Sequence, residues 1–438
     1  MKNNFYLLLF LSCVQLLTAQ KINTEKLNQY FDALEKNDRF MGSVSIIKDG
    51  KEIYSRATGF LDIETQKKAT TQTKYRIGSI SKTYTAAMVL KAVEESKLKL
   101  TDPLSNYFPG IQNAEKITID NLLNHHSGIH NFTDDKEYLE WHKEFRNEEQ
   151  MVALITKAGS DFEPGSDAQY SNSNYVLLSY ILEKIYKKPY KKLLQEKIIT
   201  PLKLKDTYLG DFIDNAKDEA NSYLYTTKWS KTTETNTSIP LGAGGIEATP
   251  SDILKFADAL FNGKILSQES LNKMKTIQGD YGYGLFQFPF GTKKLYGHTG
   301  GIDGFASVFG YETNDKIGFA VTSNGVNMNI NDISIILLTA AYGHDFSIPD
   351  FKTVKVDASI LKQYEGLYKS IQMPLDVTIF VENGVLMAQA SGQSAFPLDA
   401  VSETNFKFDM AGVEIIFNAK EGTMTMKQSG MSFQYKKQ

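Results

Sequence analysis

The sequence predicts an α+β domain followed by a small all-β domain. Three features carry that expectation. Residues 79–93 and 175–185 are apolar almost all round, as helices set in the middle of a protein are. Residues 283–324 read as short strands divided by glycines. Beyond about residue 349 the texture changes to segments that alternate apolar and polar residues, as half-buried strands do.

In chain order, Lys2, the apolar run 5–17 and Ala19 fit a secretory signal peptide cut before Gln20. The run is too short to cross a bilayer comfortably. Leu11-Ser12-Cys13 loosely resembles a lipoprotein cleavage site, although the apolar run continues past Cys13. Export, to a periplasm or the medium, is therefore expected. Residues 24–40 form an amphipathic helix with Leu27, Tyr30, Phe31 and Leu34 on one stripe. Residues 44–47 are a strand, Lys48-Asp49-Gly50-Lys51 a turn, and Ile53 and Tyr54 begin the return strand. Gly242-Ala243-Gly244-Gly245 is a turn, after which Thr249-Pro250-Ser251-Asp252 opens a helix. Residues 330–342 make a further helix. Strands are expected at 376–382, 385–390, 413–418 and 423–428, the first two joined at Glu382-Asn383-Gly384. The division is residues 1–19 as signal, 20–349 as the main domain and 350–438 as the β domain.

The net charge of −3, with both signs mixed along the chain, lacks the basic footprint of a nucleic-acid binder. Cys13 is the only cysteine, so a processed chain has no disulfide, catalytic thiolate or cysteine metal site. No other segment is long and apolar enough to span a membrane.

Ser-x-x-Lys sets a hydroxyl and an amine on one face of a helix, where a buried lysine of lowered pKa can take the serine proton. The pattern starts at Ser45, Ser79, Ser96, Ser270 and Ser359. Ser45 lies in a strand, Ser96 in a lysine-rich helix end, and Ser270 and Ser359 in surface-like helices. Ser79 alone opens a helix apolar all round, where N-terminal N–H groups favour a developing oxyanion. Taken singly, it reads equally well as a helix-capping serine above a lysine at the core's edge.

Tyr170-Ser171-Asn172 follows the turn Glu163-Pro164-Gly165 and precedes the second buried helix; it is the only Tyr-x-Asn in the chain. A tyrosine beside a lysine can move a proton, and an asparagine amide can hold a carbonyl. A loop tyrosine and a capping asparagine are the plainer reading of these residues alone. Gly297-His298-Thr299-Gly300-Gly301 ends a strand, with glycines that admit a ligand to the backbone and with His298 and Thr299 as donors; singly, it is an ordinary glycine-rich strand end.

In this order along the chain, Gly78-Ser79-Ile80-Ser81-Lys82, Tyr170-Ser171-Asn172 and His298-Thr299-Gly300 together resemble the serine β-lactamase and penicillin-binding family, most nearly its class C β-lactamase and DD-peptidase branch. Leu122-Leu123-Asn124-His125-His126-Ser127-Gly128, Phe162 with Pro164-Gly165, and Gly244-Gly245-Ile246 ahead of Asp252 also fit. The resemblance covers about residues 40–345. The C-terminal β unit resembles accessory domains appended to such enzymes.

The resemblance implies a β-lactamase/transpeptidase-like fold: a central antiparallel sheet flanked by helices, a helical subdomain, and a site between them. It implies Ser79 as nucleophile, Lys82 and Tyr170 sharing the general base and acid duties, and Asn172, His298, Thr299, Gly300 and Gly301 as substrate-binding residues. The N–H groups of Ser79 and Gly301 would form the oxyanion hole. One position departs from the pattern: class C β-lactamases usually carry lysine where this chain has His298, and a mostly neutral histidine binds a carboxylate less strongly. D-alanyl peptides, esters or β-lactams are the implied substrates, with DD-peptidase or esterase chemistry ahead of efficient β-lactam hydrolysis. No cofactor is implied, and protein partners are unassigned.

Two readings of other classes compete. One is a penicillin-recognising sensor that acylates with little turnover. The other is a zinc enzyme using His125, His126 and His130, but Ser127-Gly128 breaks any helix there and no glutamate follows a histidine. A Ser-His-Asp hydrolase lacks its Gly-x-Ser-x-Gly, and no nucleotide-binding glycine loop is present.

Overall fold

The computed structural model describes residues 22–226, 228–370, 372–373, 375–428 and 431–438. The expected signal segment, with Cys13, lies outside the described residues. The main elements of the first domain are α1 (Thr24–Lys36), β1 (Phe40–Lys48), β2 (Lys51–Thr58), α2 (Ser81–Glu94), α3 (Asn172–Tyr186), α4 (Pro250–Phe261), β3 (Phe286–Phe290), β4 (Lys293–Ile302), β5 (Phe305–Glu312), β6 (Ile317–Val326) and α5 (Ile330–Ala341).

Helix α1 is shorter than its apolar period suggests. Asn23 caps its start by accepting the Lys26 N–H at 3.0 Å, and the chain leaves the helix at Asn37-Asp38, Asp38 being left-handed at φ 52°. Asn and Asp adopt that conformation more readily than most residues, and β1 starts directly afterwards.

The strands form one six-stranded antiparallel sheet in the order β3-β4-β5-β6-β1-β2. The hairpin β1–β2 thus docks on a strand that lies far along the sequence, with Val44 opposite Val321 and Ile46 opposite Phe319. β1 and β6 are buried along nearly their whole length because both faces of the sheet are covered. On one face α1 and α5 pack through Leu27, Phe31, Ile333 and Leu337. On the other lies the larger core, in which α2, α3 and α4 meet. Residues 81–90 of α2 are all buried, so this helix threads the core as its composition requires.

The C-terminal part is a single nine-stranded antiparallel sheet. Its two outermost strands are Phe396–Pro397 and Asp399–Ala400, separated only by Leu398. The two edges therefore meet, and the sheet curls into a barrel-like domain filled by Tyr364, Tyr368, Leu398, Phe406, Phe417 and Tyr435. Arg39 ties it to the first domain: its guanidinium pairs with Asp399 at 2.8 Å and Asp409 at 3.5 Å. Among the described residues no helix is long and apolar enough to cross a membrane.

Candidate active site

Ser79 sits in a 3-10 turn, Gly78–Ile80, that runs into α2 at Ser81. This turn, rather than the first turn of an α-helix, presents the hydroxyl. It lies against β4. Strand β3 pairs only with Lys293–Gly297, which leaves the edge from His298 to Ile302 free to meet the turn. Two glycines allow the contact. A Cβ on Gly300 would stand 2.0 Å from the Ile77 carbonyl oxygen, and one on Gly78 (φ +50°) would stand 2.7 Å from the Gly301 nitrogen. The Ser307 hydroxyl donates to the Ile77 carbonyl at 2.8 Å and fixes the approach. Ser79 is thereby held beside the Gly301 backbone.

Lys82 is fully buried one helical turn along. Its Nζ lies 3.0 Å from Ser79 Oγ, 2.7 Å from Asn172 Oδ1 and 2.7 Å from the Ala243 carbonyl oxygen. None of these partners is charged. Burial without a carboxylate holds the amine well below the usual lysine range. In the neutral amine, the two carbonyl-type oxygens take both N–H groups, and the remaining lone pair is left for the Ser79 proton.

Tyr170 lies over this group, with Lys82 Nζ 4.9 Å from its ring centre. Its hydroxyl contacts the Ser79 side chain, but burial dominates and pushes the phenol well above the usual tyrosine range. His125 backs it, ring stacked at 4.6 Å, and accepts the Ser171 N–H on Nδ1 at 3.1 Å. That acceptor role, and burial that holds the ring well below the usual histidine range, keep His125 neutral.

Two cavities open on Ser79 and Gly301. One, of about 380 Å³, is lined by Asn172 together with residues of 132–142 and 224–240. The other, of about 480 Å³, is lined by Tyr170, Asp280, Tyr281, Phe286, His298 and Thr299. Ser79 and Gly301 line both. The Asn172 carboxamide is already satisfied: Oδ1 takes Lys82, and Nδ2 donates to Asn131 Oδ1 at 3.2 Å and Thr133 Oγ1 at 3.1 Å. It orients the lysine, and a substrate amide has to compete for it. His298, read from sequence as a donor, gives its Nδ1 proton to the Thr299 carbonyl oxygen at 2.5 Å. Burial, with Lys82 a lesser cause, pushes this ring down to about 3, so it is neutral with Nε2 an acceptor.

A family model described as Beta-lactamase matches residues 27–341. The chain belongs to the beta-lactamase family. Within that family it is 29% identical over 299 residues to a teichoic acid D-alanine hydrolase of Staphylococcus aureus, covering 67% of this chain and 71% of the relative. A D-amino acid amidase from Ochrobactrum anthropi, solved with L-phenylalanine, superposes with a TM-score of 0.63 at 26% identity, over 72% of this chain and 98% of the amidase. An octameric penicillin-binding protein homologue from Pyrococcus abyssi superposes over 95% of this chain and 100% of its own, with a TM-score of 0.67 at 25% identity. The protein is a beta-lactamase-family serine hydrolase of β-lactamase/transpeptidase-like fold.

Several site residues of this beta-lactamase-family chain carried no sequence signal. Ala243 acts through its carbonyl oxygen, which any residue supplies; Asn131 and Thr133 hold the Asn172 carboxamide. Arg76, fully buried, binds Asp303 at 3.1 Å and the Thr235 carbonyl oxygen at 2.7 Å, tying the strand before Ser79 to the chain after β4. The three histidines close in sequence diverge: His125 backs Tyr170, His126 Nδ1 bonds the Asn124 carbonyl at 2.8 Å, and His130 pairs with Asp161 at 2.9 Å. Among the described residues no group of three or more His, Cys, Asp or Glu side chains is placed to hold a metal.

Proposed function

We propose that this protein is an exported hydrolase of D-alanyl esters or D-amino acid amides that works through an acyl-enzyme on Ser79. The observation that carries the mechanism is the buried Lys82 amine, whose uncharged partners leave one lone pair facing Ser79 Oγ. The substrate class rests on the relatives, a teichoic acid D-alanine hydrolase and a D-amino acid amidase.

In this reading Lys82 takes the Ser79 proton as Oγ attacks the substrate carbonyl carbon. The developing oxyanion is met by the N–H groups of Ser79 and Gly301, each worth about 3 kcal/mol. As the C–O or C–N bond breaks, the proton returns to the leaving atom. Tyr170, held neutral by burial, in contact with Ser79 and lining one of the two cavities, is the donor in this reading. Water then adds to the ester, giving a proton to the same pair, and Ser79 Oγ regains one as the acid is released. Overall, one water is consumed and one acid and one alcohol or amine are formed.

Steady-state release of D-alanine from its methyl ester and its amide tests the proposal. Turnover by the wild type and loss of about 10³-fold or more in Ser79→Ala is expected. Equal rates in the two proteins would overturn it. A single turnover followed by a stable adduct would instead favour a penicillin-recognising sensor.

A further inference from the structure

The two cavities that open on Ser79 are chemically unlike, and the difference constrains the leaving group. Tyr170 lines only the 480 Å³ cavity and Asn172 only the 380 Å³ one. If Tyr170 delivers the departing proton, as proposed above, the group that leaves occupies the Tyr170 side, and the acyl group occupies the other.

Two polar groups of the Tyr170 side, the Asp280 carboxylate and His298 Nε2, can only accept. Asp280 contributes an exposed carboxylate at the rim, and no lysine or arginine lines the cavity. The His298 proton is spent on the Thr299 carbonyl oxygen, so its Nε2 offers a lone pair. The Tyr281 and Thr299 hydroxyls can serve either way. A carboxylate here meets one like charge and one acceptor nitrogen, with no cation in compensation. A hydroxyl or amine finds acceptors for its hydrogens.

We infer that the Tyr170-side cavity selects neutral or cationic, hydrogen-bond-donating leaving groups, hydroxyl-rich alcohols or amines, and rejects leaving groups that carry a carboxylate, with Asp280 as the specificity-determining residue. The inference rests on the hydrolase reading and narrows it. D-alanyl esters of polyols and simple amides fit the cavity. Peptides that end in a free D-alanine, and β-lactams with a ring carboxylate, do not.

Two esters of D-alanine separate the cases, one with glycolic acid and one with glycolamide. They share the acyl group and differ in the charge of the leaving group. The expected kcat/KM is higher for the glycolamide ester by about tenfold or more, the size of one like-charge contact near a protein surface. Asp280→Asn should shrink that ratio, and Asp280→Lys should abolish or invert it. Equal kcat/KM for the two esters in the wild type, or a ratio unmoved in both variants, would overturn the inference. So would turnover of the methyl ester with none of the glycolamide ester. Failure to turn over the methyl ester as well would instead remove the hydrolase reading, and the inference with it.

Discussion

Replacing Gly300 by alanine should cripple the site while leaving the fold in place. The new Cβ would stand 2.0 Å from the Ile77 carbonyl oxygen and 2.4 Å from Ser307 Oγ. The first distance is roughly 1 Å inside the closest approach that packed atoms tolerate. Ser307 can rotate away, but Ile77 is backbone and is held by its own hydrogen bond to the Ile246 carbonyl at 3.0 Å. Strand β4 and the Ser79 turn must therefore separate by about that 1 Å, which carries the Gly301 N–H off the oxyanion position. A shift of this size costs about 10²-fold, and complete loss of one donor 10²–10³-fold. The overpacking itself should take about 1–3 kcal/mol from stability. The assay is kcat/KM on D-alanine methyl ester beside a thermal melt, with Gly110→Ala as control because no atom lies within 4 Å of a Cβ there. Wild-type kcat/KM in a folded Gly300→Ala protein would refute the assignment of Gly301 to the oxyanion hole.

Lys82→Ala should cut kcat by about 10²–10⁴-fold, and Lys82→Arg should be as inactive because a guanidinium stays protonated. In the wild type, kcat/KM should rise with pH through a pKa well below the ordinary lysine value, since burial favours the neutral amine; a limb near the ordinary value would contradict the buried base. Glu247 is buried beside Arg76, and burial, reinforced by Glu219, raises its carboxyl to about 8. The folded state then keeps a proton that the unfolded state loses from about pH 4.5, so stability falls as pH rises from there through about 8. Glu247→Gln should match the wild type at pH 4 and gain on the order of 5 kcal/mol at pH 9, read by denaturant melts; an equal difference at both pH values would contradict the buried acid. Arg39→Ala should loosen the barrel-like domain, leaving Asp399 and Asp409 without their shared cation. Limited proteolysis should then cut residues 349–356 faster, with kcat/KM unchanged.

Much of this was legible because the chemistry imposes residue types at fixed spacings. Ser79 and Lys82 share a helix face, and only the match whose surroundings were apolar all round could bury the amine. Strands with clean alternation were located to the residue at Val385–Ala390, Val413–Asn418 and Thr423–Gln428. Others carried no pattern. Phe396–Pro397 and Asp399–Ala400 are two residues each, too short to show a period, and they are strands because they pair with Met387–Ala388 and with Phe406–Lys407. The site's hidden half is backbone and second partners. The Ala243 carbonyl, the Ile77–Gly300 contact and the direction of the His298 proton depend on where distant segments meet, and side-chain identity does not encode them. Asp280 is an unremarked loop acid until the fold places it at the rim of the cavity.

The most direct measurement is intact mass spectrometry of wild type and Ser79→Ala after rapid mixing with a D-alanine ester and acid quench, followed by peptide mapping. A transient D-alanyl adduct on the peptide containing Ser79, absent in the variant and decaying at the rate of turnover, is the predicted result. Turnover with no adduct on Ser79, or an adduct that survives in Ser79→Ala, would contradict the acyl-enzyme mechanism.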